Sequence, residues 1–147
     1  KMFFKGTLLA YLIAALSFSV LNLLIFSLTD VIFGNSVSII NLSSVFGWRE
    51  NGLIVCLIQQ FSFFLFAECF FHTLTCAHFR KYGIAADIIL AAILAIFIPV
   101  KQFRKYLTAF FDLIIFADNA AIQIISCLLL SALFYLMSIN IIRRRKI

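Results

Sequence analysis

Residues 120–142 form an uninterrupted apolar stretch, AAIQIISCLLLSALFYLMSINII, with no charged residue, and the four cations of RRRK follow at once. A membrane-spanning helix needs about 20 mainly apolar residues to cross roughly 30 Å of hydrocarbon. The composition of the whole chain also indicates a membrane protein. Of its 147 residues, 65% are apolar and only 12% are charged, whereas soluble domains are about a quarter charged. A soluble chain of this size could not bury so much apolar surface.

Three further apolar stretches precede this one, and they predict an all-α, polytopic membrane bundle of about four transmembrane helices in a single domain. The predicted spans are residues 6–33, 52–77, 84–100 and 120–142. The third has only 17 residues and contains Pro99 near its end, so it is close to the minimum length. A loop rich in Gly, Ser and Asn separates the first two spans, and we expect its Trp48 to lie at headgroup depth.

The segment 101–119, KQFRKYLTAFFDLIIFADN, is predicted to form an interfacial or re-entrant amphipathic helix before the last span. Its apolar residues recur at helical spacing, while Arg104, Lys105, Thr108 and Asp112 fall mostly on the other side.

The distribution of Lys and Arg predicts that both termini are cytoplasmic, in the plasma membrane. With four spans this orientation places eight cations inside and four outside. The inner set contains Lys1, Lys5, Arg80, Lys81, Arg143, Arg144, Arg145 and Lys146. We interpret Arg80, Lys81 and the 143–146 cluster as anchors against anionic headgroups. The net charge of +6 thus indicates membrane topology, and we expect lipid and no nucleic acid as a partner.

Polar residues inside the spans are the functional candidates, because ionisable groups at membrane depth cost about 2.5–3.5 kcal/mol. Gln60, Glu68 and His72, together with Phe64 and Cys76, form a stripe at four-residue spacing in the second span. Glu68 and His72 share a helix face, so they could exchange a proton or contact cargo. The competing interpretation is a buried pair that fastens neighbouring helices. We also expect Asn22, Gln123 and Asn140 to make interhelical hydrogen bonds, and Asp87 to lie in the first turn of the third span.

No catalytic or nucleotide-binding motif is present, so an enzyme and a bound cofactor are not predicted. The four cysteines lie singly inside apolar stretches without metal-ligand spacing, and we interpret them as small apolar residues.

The start of the chain, KMFFKGTLLAYLIAALSFSVLNLLIF, resembles a segment of the permease subunits of type-2 ABC exporters. In small bacterial members of that class, a basic and aromatic RKxFFxG stretch leads into the third transmembrane helix. The end, SALFYLMSINIIRRRKI, resembles their last helix, which often closes with RRRDI. The resemblance covers essentially the whole chain, and the amphipathic segment before the last span matches the family's re-entrant helices.

This resemblance implies that the four spans are the family's third to sixth helices, so upstream helices are expected to be lacking. It implies a permease subunit that works with a separate ATPase subunit and forms a homo- or heterodimer. Met2, Phe3, Phe4 and Lys5 would then contact the ATPase. Two other functions stay open from the residues: a small proton-coupled four-helix transporter that uses Glu68 and His72, and a non-transporting membrane immunity or assembly factor.

Overall fold

The protein is all-helical over the residues that its computed structural model describes, which are 2–33, 46–78, 83–97 and 100–143. The long apolar stretches become the long helices, as predicted. The helices are α1 (Met2–Phe33), α2 (Leu53–His78), α3 (Gly83–Phe97), α4 (Lys101–Ile114) and α5 (Ala120–Arg143), and one turn of 3-10 helix, Trp48–Asn51, precedes α2. The predicted fold class is confirmed.

Within the described residues, three helices are long and apolar enough to cross a membrane: α1 over Gly6–Ile25, α2 and α5. The 26 residues of α2 rise about 39 Å, more than the hydrocarbon thickness. The predicted span 84–100 corresponds to α3, whose 15 residues rise only about 22 Å. Over its described residues α3 is therefore shorter than the three long helices α1, α2 and α5. Residues 98 and 99 of the predicted span lie outside the described part.

The predicted amphipathic segment contains α4, the one strongly amphipathic helix among the five described. It ends at Ile114, where the Phe111 carbonyl accepts hydrogen bonds from the amides of Ile115 (2.8 Å) and Phe116 (3.3 Å). The chain then turns into α5, and the Asn119 side chain caps that helix by accepting a 2.9 Å hydrogen bond from the Ala121 amide.

The central helix is α2, which packs on both α1 and α5. Its pairing with α1 is antiparallel, because Tyr11 lies beside His72 whereas Asn22 bonds to Gln60. Its pairing with α5 is parallel. Cys127 packs with the N-terminal half of α2, and the Phe134 carbonyl accepts a hydrogen bond from Thr73 further along.

The N-terminal ends of α2 and α5 therefore meet at one end of the bundle, which we call the Trp48 end. Trp48 is only 3% exposed, and its indole N–H donates a 2.8 Å hydrogen bond to the Ile115 carbonyl. The side-chain amide of Gln123 donates a 3.2 Å hydrogen bond to the neighbouring Ile114 carbonyl. The ring of Trp48, for which headgroup depth stays a prediction, is buried inside the protein, where it attaches the 3-10 turn to the end of α4.

The opposite end, which we call the His78 end, contains the start of α1 and the ends of α2 and α5. Here His78 Nε2 lies 2.9 Å from Asp87 Oδ2, with both side chains about half exposed (53% and 54%). Asp87 is the fifth residue of α3 and so lies beyond the first turn where we expected it. It pairs with α2 instead of interacting with the helix terminus.

Both described termini, Met2 and Arg143, belong to the His78 end, because α1 runs opposite to α2 while α5 runs with it. Since α3 starts at this end and α4 finishes beside Trp48, the two short helices together return the chain to the Trp48 end. The cations Arg80, Lys81, Arg144, Arg145 and Lys146 lie outside the described residues.

Candidate functional site

The polar stripe predicted on α2 has two environments in the structure. Gln60 packs between helices, whereas Glu68 and His72 line a groove. Gln60 is fully buried, accepts a 3.2 Å hydrogen bond from Asn22 of α1, and donates to the Cys56 sulfur at 3.4 Å. It therefore fastens α1 to α2, as predicted for Asn22. Gln123 likewise joins α5 to α4, whereas the Asn140 side chain is exposed and makes no hydrogen bond within the described part of the chain.

Glu68 and His72 lie in a groove of about 590 Å³ between α1 and α2, open along one side. We call it the Glu68 groove. Its volume falls within the range of 300–1,000 Å³ that is usual for ligand pockets. It is lined by Tyr11, Ala14 and Phe18 of α1 and by Phe64, Ala67, Glu68, Phe71, His72 and Thr75 of α2.

Aromatic pairs close both ends of the groove, one helical turn to either side of Glu68. Tyr11 and His72 have ring centroids 5.2 Å apart, and Phe18 and Phe64 have theirs 6.1 Å apart. Each pair joins α1 to α2. Between the two pairs the groove is lined by small side chains, Ala14 of α1 and Ala67 of α2.

The carboxyl group of Glu68 has no hydrogen-bond partner among the described residues, and its Oε2 atom is buried. Transfer of an unpaired carboxylate into apolar surroundings costs far more than transfer of a neutral group. A proton on the carboxyl group or a cation beside it would stabilise this buried oxygen atom. Among the described residues no lysine or arginine lines the groove, whose other side chains are aromatic, aliphatic, hydroxyl or imidazole groups.

His72 turns away from Glu68 and toward the next turn of α2. Its Nε2 lies 3.3 Å from the Cys76 sulfur, and its ring packs on Tyr11. The i, i+4 spacing does bring Glu68 and His72 to the same groove, but the structure shows no hydrogen bond between them. The geometry therefore presents two separate polar groups facing one space.

A second groove, of about 480 Å³, lies between α2, α3, α4 and α5. Its lining is almost wholly apolar and largely aromatic, including Phe66, Phe70, Phe110, Phe111 and Phe134, and Tyr106 is the one titratable residue among the described lining residues. It offers surface for hydrocarbon rather than groups for chemistry.

The sites predicted at the ends of the chain are only partly described. Met2, Phe3, Phe4 and Lys5 belong to α1, which is continuous with its apolar span, but their side chains lie outside the described part. Arg143 is the last residue of α5 and is exposed. No group of three His, Cys, Asp or Glu residues converges as a metal site within the described residues.

No family model, curated protein or solved structure matches this chain. What the Glu68 groove can do therefore follows from its own chemistry: an unpaired acid between two aromatic pairs, open on one side.

Sequence reasoning found Glu68 and His72 but missed Tyr11, Ala14 and Phe18, which complete the groove from α1. A signal for the packing face of α1 was present. Ala15 and Ser19 are small residues at four-residue spacing, and both are fully buried. Small residues mark close helix contacts in membranes, and Tyr11 lies on the same stripe one turn earlier.

Proposed function

We propose that this protein is a permease subunit of an ATP-driven exporter and works with a separate ATPase subunit. The observation that carries the proposal is that the start of α1 and the end of α5 lie at the same end of the bundle. The basic and aromatic KMFFK segment and the RRRK cluster adjoin these two helix ends in the sequence. One cytoplasmic partner could then contact both, in the orientation that the positive-inside rule favours.

The arrangement of α4 also supports this function. The resemblance to type-2 exporters implies an amphipathic helix on the outer side just before the last span. Here α4 ends beside Trp48, opposite the two termini, and leads directly into α5. The expected assembly contains two permease subunits in a bacterial plasma membrane, each with an ATPase subunit on its cytoplasmic side.

Coupling between the ATPase and the groove would be transmitted along α1, which is one continuous helix. The helix begins at Met2, before the apolar window Gly6–Ile25, and runs without interruption to Phe33. Tyr11 and Phe18, which line the Glu68 groove, are two to four turns beyond the predicted contact at Phe3 and Phe4. A displacement of the start of α1 by the ATPase would therefore move one wall of the groove.

The test is site-specific photo-crosslinking from positions 3 and 4 in the producing cell. A photoreactive phenylalanine analogue replaces Phe3 or Phe4, and the adducts are identified by mass spectrometry. We expect a P-loop ATPase as the principal adduct. The control is Leu9, which is 58% exposed within the apolar window and should label lipid instead.

Phe3→Ala combined with Phe4→Ala should then abolish recovery of the identified ATPase in mild detergent. The matched double variant, Leu9→Ala with Ile13→Ala, removes two exposed apolar side chains from the same helix and should retain it. If positions 3 and 4 give no ATPase adduct, or if both double variants bind it equally, the permease proposal is wrong.

A second function, a proton-coupled transporter without an ATPase, is favoured by one observation: the unpartnered carboxyl oxygen of Glu68 in an open groove. The protein reconstituted alone would then dissipate an imposed pH gradient, as reported by a pH-sensitive dye inside the vesicles. Glu68→Gln would abolish this movement. Under the permease proposal the protein alone moves no protons, and the substitution causes only a milder packing change.

A further inference from the structure

We propose that the Glu68 groove is a binding site for a lipophilic cation, meaning an amphipathic molecule that carries one fixed positive charge next to aromatic or aliphatic groups. The inference concerns what the groove holds, and it stands whether or not an ATPase drives the protein.

The charge of the ligand follows from Glu68 in its ionised form. Its carboxyl group accepts no hydrogen bond from any described residue, and no lysine or arginine lines the groove within the described part of the chain. His72 is directed toward Cys76 instead, with 3.3 Å between Nε2 and the sulfur. A neutral ligand would leave the acid as it is, whereas a cationic ligand would supply the partner that the fold omits.

The aromatic walls favour the same class of ligand. Cations bind the faces of aromatic rings through the ring quadrupole, at separations up to about 6 Å from the centroid. The Tyr11–His72 and Phe18–Phe64 pairs stand on either side of the acid, and the two rings within each pair are 5.2 and 6.1 Å apart. Aromatic rings are a common means by which proteins recognise ammonium groups that cannot donate hydrogen bonds, and Glu68 adds a carboxyl group between the two pairs.

The route of access requires the ligand to be lipophilic. The groove lies between two helices that are apolar enough to span a membrane, and it opens to the side of the bundle. Phe18 and Phe71 on its rim are 59% and 64% exposed, so the opening faces the surroundings of the helices. An acyl chain alone would need no acid, and the aromatic groove beside α4 already offers a surface suited to one.

Tetraphenylphosphonium is a suitable probe, because its charge is permanent and shielded and it cannot hydrogen-bond. Binding of the radiolabelled ion to the purified full chain in detergent is measured by equilibrium dialysis. Tetraphenylsilane, which is neutral, carries the same four phenyl groups and cannot hydrogen-bond, reports binding driven by apolar contact alone. We expect saturable binding of the cation and at least tenfold weaker binding of the neutral compound.

Three variants locate the site. Glu68→Gln keeps the size of the side chain and should weaken cation binding at least tenfold. Phe18→Leu removes one ring at an exposed position and should weaken it about threefold. Asp87→Asn removes a carboxylate at the His78 end, outside the groove, and should leave binding unchanged.

The proposal is overturned if the wild-type chain shows no saturable binding, if the neutral compound binds as tightly, or if Glu68→Gln binds like the wild type. Size-exclusion profiles identify misfolded variants. If Glu68→Gln misfolds, the test is cation binding by Phe18→Leu, because unchanged binding by that variant contradicts the proposal. Crosslinking from positions 3 and 4 is unaffected by these outcomes, so the two proposals fail separately.

Discussion

Replacement of Trp48 by Phe would test whether the Trp48 end depends on a single side chain. The indole is 3% exposed and donates a 2.8 Å hydrogen bond to the Ile115 carbonyl, which belongs to the link between α4 and α5. Phe retains an aromatic ring against Phe46 and Phe63, whose centroids lie 5.0 and 5.7 Å from that of Trp48. The variant therefore removes mainly the donor and part of the ring.

The expected loss of stability is about 2 kcal/mol. An acceptor that is buried and left without its donor costs roughly 1–3 kcal/mol, although measured side-chain hydrogen bonds in one membrane protein average only about 0.6 kcal/mol. The smaller ring adds a cavity. Trp48→Ala also removes the contacts with both phenylalanines and should cost about 4 kcal/mol, within the range known for buried tryptophans.

The assay is equilibrium unfolding of the purified protein by sodium dodecyl sulfate in mixed micelles, followed by far-ultraviolet circular dichroism. The control is Phe116→Leu. Phe116 contacts the same cluster through Phe46, at 5.6 Å, but is 49% exposed, so its loss should cost less than about 1 kcal/mol. Equal stabilities for Trp48→Phe and Phe116→Leu would refute the reasoning, because the hydrogen bond would then contribute nothing.

Two further predictions concern the contacts of α2 and use the same unfolding assay. Asn22→Leu and Gln60→Leu should couple in a double-mutant cycle by about 0.6–1.7 kcal/mol, because their 3.2 Å hydrogen bond joins α1 to α2. Strict additivity would show that the bond does not stabilise the pair. The Thr73 hydroxyl lies 2.8 Å from two carbonyl oxygens but has one proton to donate. Thr73→Val should therefore cost about 1 kcal/mol and Thr73→Ser almost nothing. A serine variant as unstable as the valine variant would point to packing instead.

The long helices were predictable from the sequence because length and apolar composition determine them locally. Residues 6–33, 52–77 and 120–142 correspond closely to α1, α2 and α5. The amphipathic helix was predictable for the same reason, since the periodicity of residues 101–119 is a property of that segment alone. Only its end at Ile114, five residues early, depends on the turn into α5.

The contacts between helices were not predictable to the same degree, because helix periodicity gives the face of a residue but not its neighbour. Glu68 and His72 share a face, yet the choice of Cys76 as the partner of His72 depends on side-chain rotamers and on Tyr11. The burial of the Trp48 ring was not predictable, because the preference of tryptophan for the interface is an average over exposed positions. Here the ring is held inside the protein by the Ile115 carbonyl and two aromatic neighbours, Phe46 and Phe63.

The distribution of buried polar groups bears on the order in which the helices can assemble. Of the three span-length helices, α2 is the least apolar and the most enclosed within the protein. The hydrogen-bond partner of Gln60 is Asn22 in α1, which is synthesised before α2. The Phe134 carbonyl that Thr73 contacts belongs to α5, which is synthesised much later.

During synthesis α2 would therefore sit in the bilayer beside α1 with one flank still facing lipid. Once α5 is inserted it would cover that flank, and the link between α4 and α5 could then accept the hydrogen bond from Trp48. A chain interrupted before α5 would leave this flank facing lipid, with the Thr73 hydroxyl bonded only to the Cys69 carbonyl of its own helix.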